Sequence, residues 1–361
     1  MKITFLLLVA APNGGTRVVA THAKQLLAMG HDVTVISRRP EPPSAKRRLR
    51  GAVTGRAPQT YSANWAVYLQ DLGVRHVELP WQMPLSPDQV PDADVIIATW
   101  WRTAFEVAAM PPEKGAKVYF VQGHETFVPD TSDLAHGSYY LPLHKITVSD
   151  WLTRLMGDMY DDQCVTTVPN GVDTSLFSAP KRSQNTRRRV GFIYSPLSLK
   201  GSDVSLAAIR QCRQHFPDLE LLVFGSREPT STLPLPKGTT FHKLPDQALI
   251  PQLYASCDAW IFGSRYEGFG LPLLEAMACR TPVVATAAGA APDLIENGVT
   301  GHVVPIEDAE AMAARLVNVL SLSNSDWQSM SNAAYDCAQK RSWDAASEAF
   351  EAALLRHIPT A

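Results

Sequence analysis

The densest chemistry in the sequence lies in Ser264-Arg265-Tyr266-Glu267-Gly268-Phe269-Gly270-Leu271-Pro272-Leu273-Leu274-Glu275-Ala276-Met277. This segment follows the apolar run Ala259–Phe262, so it stands where a strand ends and a helix begins. Gly268 and Gly270 carry no Cβ and let backbone amides approach a ligand closely. Pro272 suits the first helical position, where a missing N–H costs nothing. The helix then opens at the loop with free amides and the positive end of its dipole, an arrangement that suits a diphosphate. Glu267 precedes the turn and Glu275 lies in the first turns of the helix, so two carboxylates bracket one ligand. Carboxylates accept hydrogen bonds from sugar and ribose hydroxyls. Equally, both glutamates favour a helix N-terminus with no ligand at all.

The elements that must position these residues alternate along the chain. In the first half, β-rich runs at Ile3–Val9, Val33–Ile36, Asp94–Ala98, Val118–Val121, Ile146–Val148 and Val165–Val168 are separated by helical or loop stretches. Asn13-Gly14-Gly15 reads as a turn before a helical stripe of Val18, Val19, His22, Ala23, Leu26 and Leu27, which Gly30 ends. Ser149 reads as an N-cap. After Pro169-Asn170-Gly171 and the basic stretch Lys181 to Arg189 the alternation restarts. Val190–Ile193, a helix near residues 203–216, and strands at Leu219–Phe224, Ala259–Phe262, Pro282–Ala285 and His302–Val304 follow. Short apolar strands alternating with helices predict buried parallel sheets. The expected division is 1–172, 173–342 and a C-terminal helix over 343–361, with Ala346, Phe350, Ala353 and Leu354 on one side. Two such domains put the carboxyl ends of two sheets across a cleft, where ligands bind.

A chain of 361 residues is long for one core and natural for two. Hydrophobic content of 45% and charged content of 19% describe a globular protein, and the net charge of −2 leaves no global field toward nucleic acid or membrane. Five scattered cysteines without a CxxC pair read as reduced, buried thiols of a cytoplasmic protein. The apolar start, MKITFLLLVAAP, reads as a first strand rather than a signal peptide, because a helix and a second strand follow it. Arg38, Arg39, Lys46, Arg47, Arg48, Arg50 and Arg56 form a dense basic stretch. It is either a solvated loop or a contact for an anionic acceptor or the inner membrane face, with nucleic acid the weaker reading. Trp100-Trp101-Arg102 follows a strand and either stacks on an acceptor sugar or packs in the core.

The segment EGFGLPLLEA resembles the motif of two glutamates separated by seven residues in the family-four retaining glycosyltransferases, whose fold is GT-B: two Rossmann-like α/β domains facing across a cleft, with a C-terminal crossover helix. Leu253–Asp258, Thr281–Thr286, Asn297–Gly301, Pro169–Asp173 and the N-terminal Gly14-Gly15 agree with the same family. The resemblance implies that Glu275 binds the donor ribose, that Glu267 contacts the transferred sugar, and that amides of Gly268, Phe269, Gly270 and Leu271 hold sugar and phosphates. Lys200 matches the residue that neutralises the diphosphate, Gly225-Ser226 the base pocket, and Gly15 a diphosphate contact from the first domain. His124 matches a cleft histidine, although a lone histidine also serves structure.

Two departures stand out. Ser195 occupies the place of an arginine that binds the diphosphate, so Arg17 or Arg265 must substitute or activity falls. Arg280 stands where a helix-ending glycine is usual. The implied reaction moves a sugar from a nucleotide-sugar donor, UDP- or GDP-linked, to a glycan, lipid-linked or small-molecule hydroxyl, retaining configuration. Lysine and amides do the work of a metal ion, so neither metal nor cofactor is expected. A non-catalytic nucleotide-sugar-binding relative and a nucleotide-sugar epimerase remain as alternatives.

Overall fold

The computed structural model describes residues 1–11, 13–40, 69 and 71–358. The chain forms two compact units: Met1–Val148 with Leu152–Val168 and the stretch from Ser347, and Pro169–Ala346 with Ser149–Trp151.

The first unit is built on β1 (Lys2–Val9), α1 (Gly14–Ala28), β2 (Asp32–Arg38), β3 (Arg75–Leu79), β4 (Val95–Ala98), α2 (Trp101–Ala109), β5 (Ala116–Val121), α3 (Ser132–Tyr139), β6 (His144–Thr147), α4 (Asp150–Tyr160) and β7 (Thr166–Thr167). Its seven strands run parallel in the order β3-β2-β1-β4-β5-β6-β7. Central strands such as β4, Val-Ile-Ile-Ala, are buried at every residue, because helices cover both faces of the sheet. The Asn13 side chain caps α1 by accepting from the Thr16 amide at 2.8 Å. Gly14 and Gly15 are therefore the first turn of a helix, not the turn that the sequence suggested. Gly30, at φ +90°, ends that helix, and the His31 amide turns back to the Leu26 carbonyl at 3.1 Å.

The second unit holds β8 (Arg189–Ile193), α5 (Ser202–Cys212), β9 (Glu220–Gly225), β10 (Thr240–Lys243), α6 (Ile250–Ala255), β11 (Ala259–Phe262), α7 (Leu271–Ala278), β12 (Val283–Thr286), α8 (Ala291–Leu294), β13 (Gly301–Val304), α9 (Ala309–Ser321) and α10 (Asn324–Gln339). Its six strands are parallel in the order β10-β9-β8-β11-β12-β13. Its core packs Ile209, Leu316 and Trp327 against Phe192, Val223 and Ile261. Asp258, fully buried, organises the entry to β8: it accepts from Arg182 Nη1 at 3.0 Å, from the Asn185 amide at 2.9 Å and from the Arg189 amide at 2.9 Å.

A last helix, α11 (Trp343–Leu355), passes from the second unit to the first. Phe350 is buried there against His22, Phe120 and Phe5, with ring centroids 4.6, 4.9 and 6.1 Å away. Glu351 adds a contact of 2.5 Å to His31.

Two expectations need correction. Cys164 is exposed and Cys337 half-buried, so only Cys212, Cys257 and Cys279 are buried thiols. Arg38 is not part of a solvated basic loop: it ends β2 and forms a buried ion pair with Glu106. Arg39 pairs with Glu78 at 3.2 Å, while Lys46, Arg47, Arg48, Arg50 and Arg56 lie outside the described residues. No helix among the described residues is long and apolar enough to cross a membrane.

Candidate functional site

In both sheets the strand order reverses once, between β1 and β4 in the first unit and between β8 and β11 in the second. Ligands of open parallel sheets bind outside the carboxyl ends at such a reversal. In the second unit the chain leaving β8 carries Ser195 and Lys200, and the chain leaving β11 carries Glu267. They meet: Lys200 Nζ lies 2.8 Å from Glu267 Oε1. Ser264 Oγ donates to the same oxygen at 2.9 Å, and Oε2 takes no partner among the described residues.

Local backbone explains why these two side chains converge. Lys200 closes a 3₁₀ turn, Ser198–Lys200, and Gly201 then takes a left-handed conformation at φ +54°. A Cβ on Gly201 would lie 1.7 Å from the Gly263 carbonyl oxygen, so the two loops touch backbone to backbone. The Lys200–Glu267 pair is partly exposed, and such pairs contribute only about 0–1 kcal/mol. A diphosphate can therefore compete for the lysine at little cost.

Gly270 is the N-cap of α7 at φ +99°. Its missing Cβ answers an internal demand, because a Cβ there would stand 2.9 Å from Phe262 Cζ. The ligand-approach argument made for Gly270 from sequence therefore gives way to a packing argument. Pro272 sits within the first turn. Among the described residues, the amides of Gly268, Phe269, Gly270 and Leu271 find no acceptor. They form a cluster of donors at the positive end of α7. The Gly268 carbonyl points elsewhere, accepting from Ser149 Oγ at 2.7 Å and Trp151 Nε1 at 2.8 Å. Glu275, four residues into α7, is half-buried and accepts from Tyr254 OH at 2.8 Å. Gly225 ends β9, where a Cβ would meet the Tyr194 carbonyl at 2.4 Å; Ser226 follows it in the open.

Three supports of this loop are absent from the sequence reading. Thr286 Oγ1, at the end of β12, donates to the Ser264 carbonyl at 2.5 Å. Gly289, at φ +61°, runs beneath the loop; a Cβ there would fall 2.5 Å from the Phe269 oxygen and 2.8 Å from Glu267 Cβ. Trp151 lies edge-on to Tyr266, with centroids 5.7 Å apart. Thr286 lies in a segment that agrees with the family, but its contact to the loop, like those of Gly289 and Trp151, is made only through tertiary structure.

The first unit places Gly15 in the first turn of α1, after β1, where an added Cβ would make only ordinary contacts of 3.5 Å with Asn13 and Gln122. Packing does not require a glycine there. His124 is buried, with Nε2 at 2.6 Å from Tyr160 OH and Nδ1 at 3.2 Å from Thr126 Oγ1. Burial, aided by the neighbouring His136, lowers its pKa to about 4, so it is neutral at pH 7. Tyr160 OH continues the chain to His136 Nδ1 at 2.7 Å. Trp101 is buried at the start of α2, its amide donating to Glu125 Oε2 at 2.9 Å, whereas Trp100 is half-buried. Burial raises the Glu125 carboxyl to about 8, against the Trp101 amide bond that favours its ionised form. Arg102 lies over the Trp101 ring at 5.0 Å and over Trp100 at 5.8 Å.

Two family models match consecutive stretches of the chain: Glycosyltransferase Family 4 over residues 12–176 and Glycosyl transferases group 1 over residues 175–336. The chain belongs to the group 1, family-four glycosyltransferases. The D-inositol 3-phosphate glycosyltransferase of Corynebacterium aurimucosum is 30% identical over 231 residues, 55% of this chain and 53% of that protein. The phosphatidyl-myo-inositol mannosyltransferase of Mycolicibacterium smegmatis is 33% identical over 191 residues, 49% of this chain and 48% of that protein. The matched region thus spans about half the length of these curated relatives. Anabaena HepE, crystallised with UDP, superposes with a TM-score of 0.78 at 18% identity, covering 99% of this chain and 100% of that one. A glycosyltransferase from Rickettsia africae gives 0.76 at 17% identity over 100% and 99%. These likenesses establish the GT-B fold.

Against the family pattern, this chain places Ser195 inside its own turn, with its amide donating to Ser202 Oγ at 2.9 Å and its hydroxyl accepting from the Leu197 amide at 3.2 Å. Arg265, the other arginine near this loop, is already engaged. It is held by both Asp203 oxygens at 2.8 and 2.7 Å, by Glu307 at 2.6 Å and by the Ser198 carbonyl at 2.7 Å. Arg17 lies half-buried in α1 of the first unit. Arg280 does take the left-handed conformation of a helix-ending glycine, φ +60°. Its side chain answers with bonds to the Ala179 carbonyl at 2.9 Å and Asn332 Oδ1 at 2.6 Å and with stacking on Tyr335.

Proposed function

We propose that this chain is a retaining glycosyltransferase that takes a UDP- or GDP-linked sugar and transfers it to a hydroxyl without a metal ion. The observation that carries this reading is the meeting of Lys200 and Glu267 at the strand-order reversal of the second unit, beside the unclaimed amides of α7. Transfer breaks the bond between the anomeric carbon and a phosphate oxygen and forms one to the acceptor oxygen. Negative charge collects on the diphosphate while positive charge spreads over the sugar. Lys200 and the α7 amides stand ready to stabilise that anion, the role a divalent cation has elsewhere. In a retaining displacement from the leaving-group side, the acceptor proton passes to the departing phosphate oxygen, so no protein nucleophile is needed. Glu267, released from Lys200, accepts from sugar hydroxyls, and Glu275 from the ribose. His124, neutral and tied through its two ring nitrogens to Tyr160 and Thr126, positions the loop after β5.

The donor class draws support from a relative named for GDP-mannose and from solved folds holding UDP or UDP-glucose. Acceptors with an inositol or glycolipid character recur among the relatives' names. The test is turnover of UDP- and GDP-sugars with EDTA present, by wild type, Lys200→Ala and Glu267→Ala. Product formed by wild type and lost in both variants supports the reading; dependence on added Mg²⁺ removes its metal-free part. One observation favours a second reading, a binding protein without turnover: Ser195 and the fully engaged Arg265 leave Lys200 as the cation of this loop. It predicts nucleotide binding with no product.

A further inference from the structure

We propose that the first unit carries a site for an anionic amphiphile, with a single apolar chain lying in a cavity along α2 and the anionic head at Arg102. The cavity has a volume of about 530 Å³, within the range that takes one small molecule. Met83 and Leu85 from the segment after β3, Trp101, Phe105 and Met110 from α2 and its end, and Leu134 from α3 line it. Met83, Phe105 and Leu134 are 41%, 37% and 54% exposed. Large apolar side chains left to water around a concavity mark a binding surface. The face that the cavity follows is one nine-residue helix, about 14 Å at 1.5 Å per residue. That length suits one extended alkyl chain.

The head is assigned by charge. Arg102 lines the cavity, has its guanidinium carbon 5.0 Å from the Trp101 ring centroid, and meets no carboxylate among the described residues. A guanidinium held on an aromatic ring and left unpaired presents its fork to phosphate or carboxylate. The one carboxylate in the lining, Glu106, does not oppose an anion. Its Oε1 is bound by the buried Arg38 and by the Leu85 amide at 3.0 Å. α2 begins at the carboxyl end of β4, one of the two strands at the order reversal of this unit. On the transferase reading, this ligand is the acceptor; the binding itself does not depend on that reading.

The test is calorimetric titration of the full chain with decyl phosphate, decyl glucoside and inorganic phosphate. Decyl phosphate is expected to bind about tenfold to hundredfold more tightly than decyl glucoside, the range set by a charge-assisted hydrogen bond, and inorganic phosphate alone to bind no better than the glucoside. Ala109→Phe fills the cavity from an exposed helix position and is expected to abolish binding of both detergents. Arg102→Gln should erase the preference for phosphate and keep the neutral chain. No binding of decyl phosphate, unchanged binding in Ala109→Phe, or equal affinity for decyl phosphate and inorganic phosphate overturns the proposal. Melting curves of both variants check that they fold. UDP and GDP titrated into the same samples separate the two readings: nucleotide without amphiphile overturns this site alone, and amphiphile without nucleotide overturns the transferase reading alone.

Discussion

Gly289→Ala tests whether the Glu267–Phe269 loop is pinned from beneath. Gly289 sits at φ +61°, and a Cβ there would come within 2.5 Å of the Phe269 oxygen and 2.8 Å of Glu267 Cβ. The variant meets two penalties. Left-handed backbone costs an L residue about 1–2 kcal/mol, and overpacking adds about 1–3 kcal/mol. Neither neighbour can rotate aside, since one is backbone and the other is the first carbon of Glu267. Relief must move the Glu267–Phe269 loop. Gly298 supplies the control, because it has φ +79° and open space around its missing Cβ. In a thermal-shift assay, at about 2–4 °C per kcal/mol for units of this size, Gly298→Ala should lower Tm by about 2–8 °C. Gly289→Ala should fall several degrees further and weaken nucleotide binding, while Gly298→Ala leaves binding unchanged. Equal melting shifts with nucleotide affinity intact in Gly289→Ala would refute the reasoning.

Three further outcomes follow from the fold. Phe350→Ala removes the ring packed on His22, Phe120 and Phe5 and should cost about 3–5 kcal/mol by denaturant titration. Asp258→Ala strips the buried partner from Arg182 and from two backbone amides; about 3–5 kcal/mol should be lost, most of it recovered in Asp258→Asn if the amide bonds dominate. Burial lowers the pKa of His22 to about 3. The unfolded chain then binds the extra proton between pH 6.5 and 3, so stability present above pH 6.5 is lost as pH falls through that window, at up to about 1.4 kcal/mol per pH unit. His22→Phe should flatten the fall in Tm between pH 6.5 and 5, and an unchanged slope would contradict the assignment.

The two-sheet plan was legible because central strands are nearly pure apolar runs, such as Val95–Ala98 and Ala259–Phe262. β3 and β10 escaped notice because they are edge strands, Arg-His-Val-Glu-Leu and Thr-Phe-His-Lys, whose outer sides tolerate polar residues. The loop and helix of the candidate site were readable from Glu267 to Glu275 because their chemistry is local. Thr286, Gly289 and Trp151 were not, since each reaches the loop only through tertiary structure. The engagement of Arg265, offered from sequence as a substitute for the arginine missing at Ser195, was hidden for a related reason: Asp203 and Glu307, distant in sequence, claim its guanidinium. Arg38 looked like one of a basic series until its partner Glu106 was placed beside it.

Calorimetric titration of UDP and GDP into wild type and Glu275→Ala, with EDTA present, addresses the central claim most directly. The account predicts that one nucleotide binds the wild type, that EDTA makes no difference, and that Glu275→Ala weakens binding about tenfold or more, as loss of a hydrogen bond to a charged group implies. A folded protein that binds neither nucleotide, or that binds one equally well without Glu275, would contradict it.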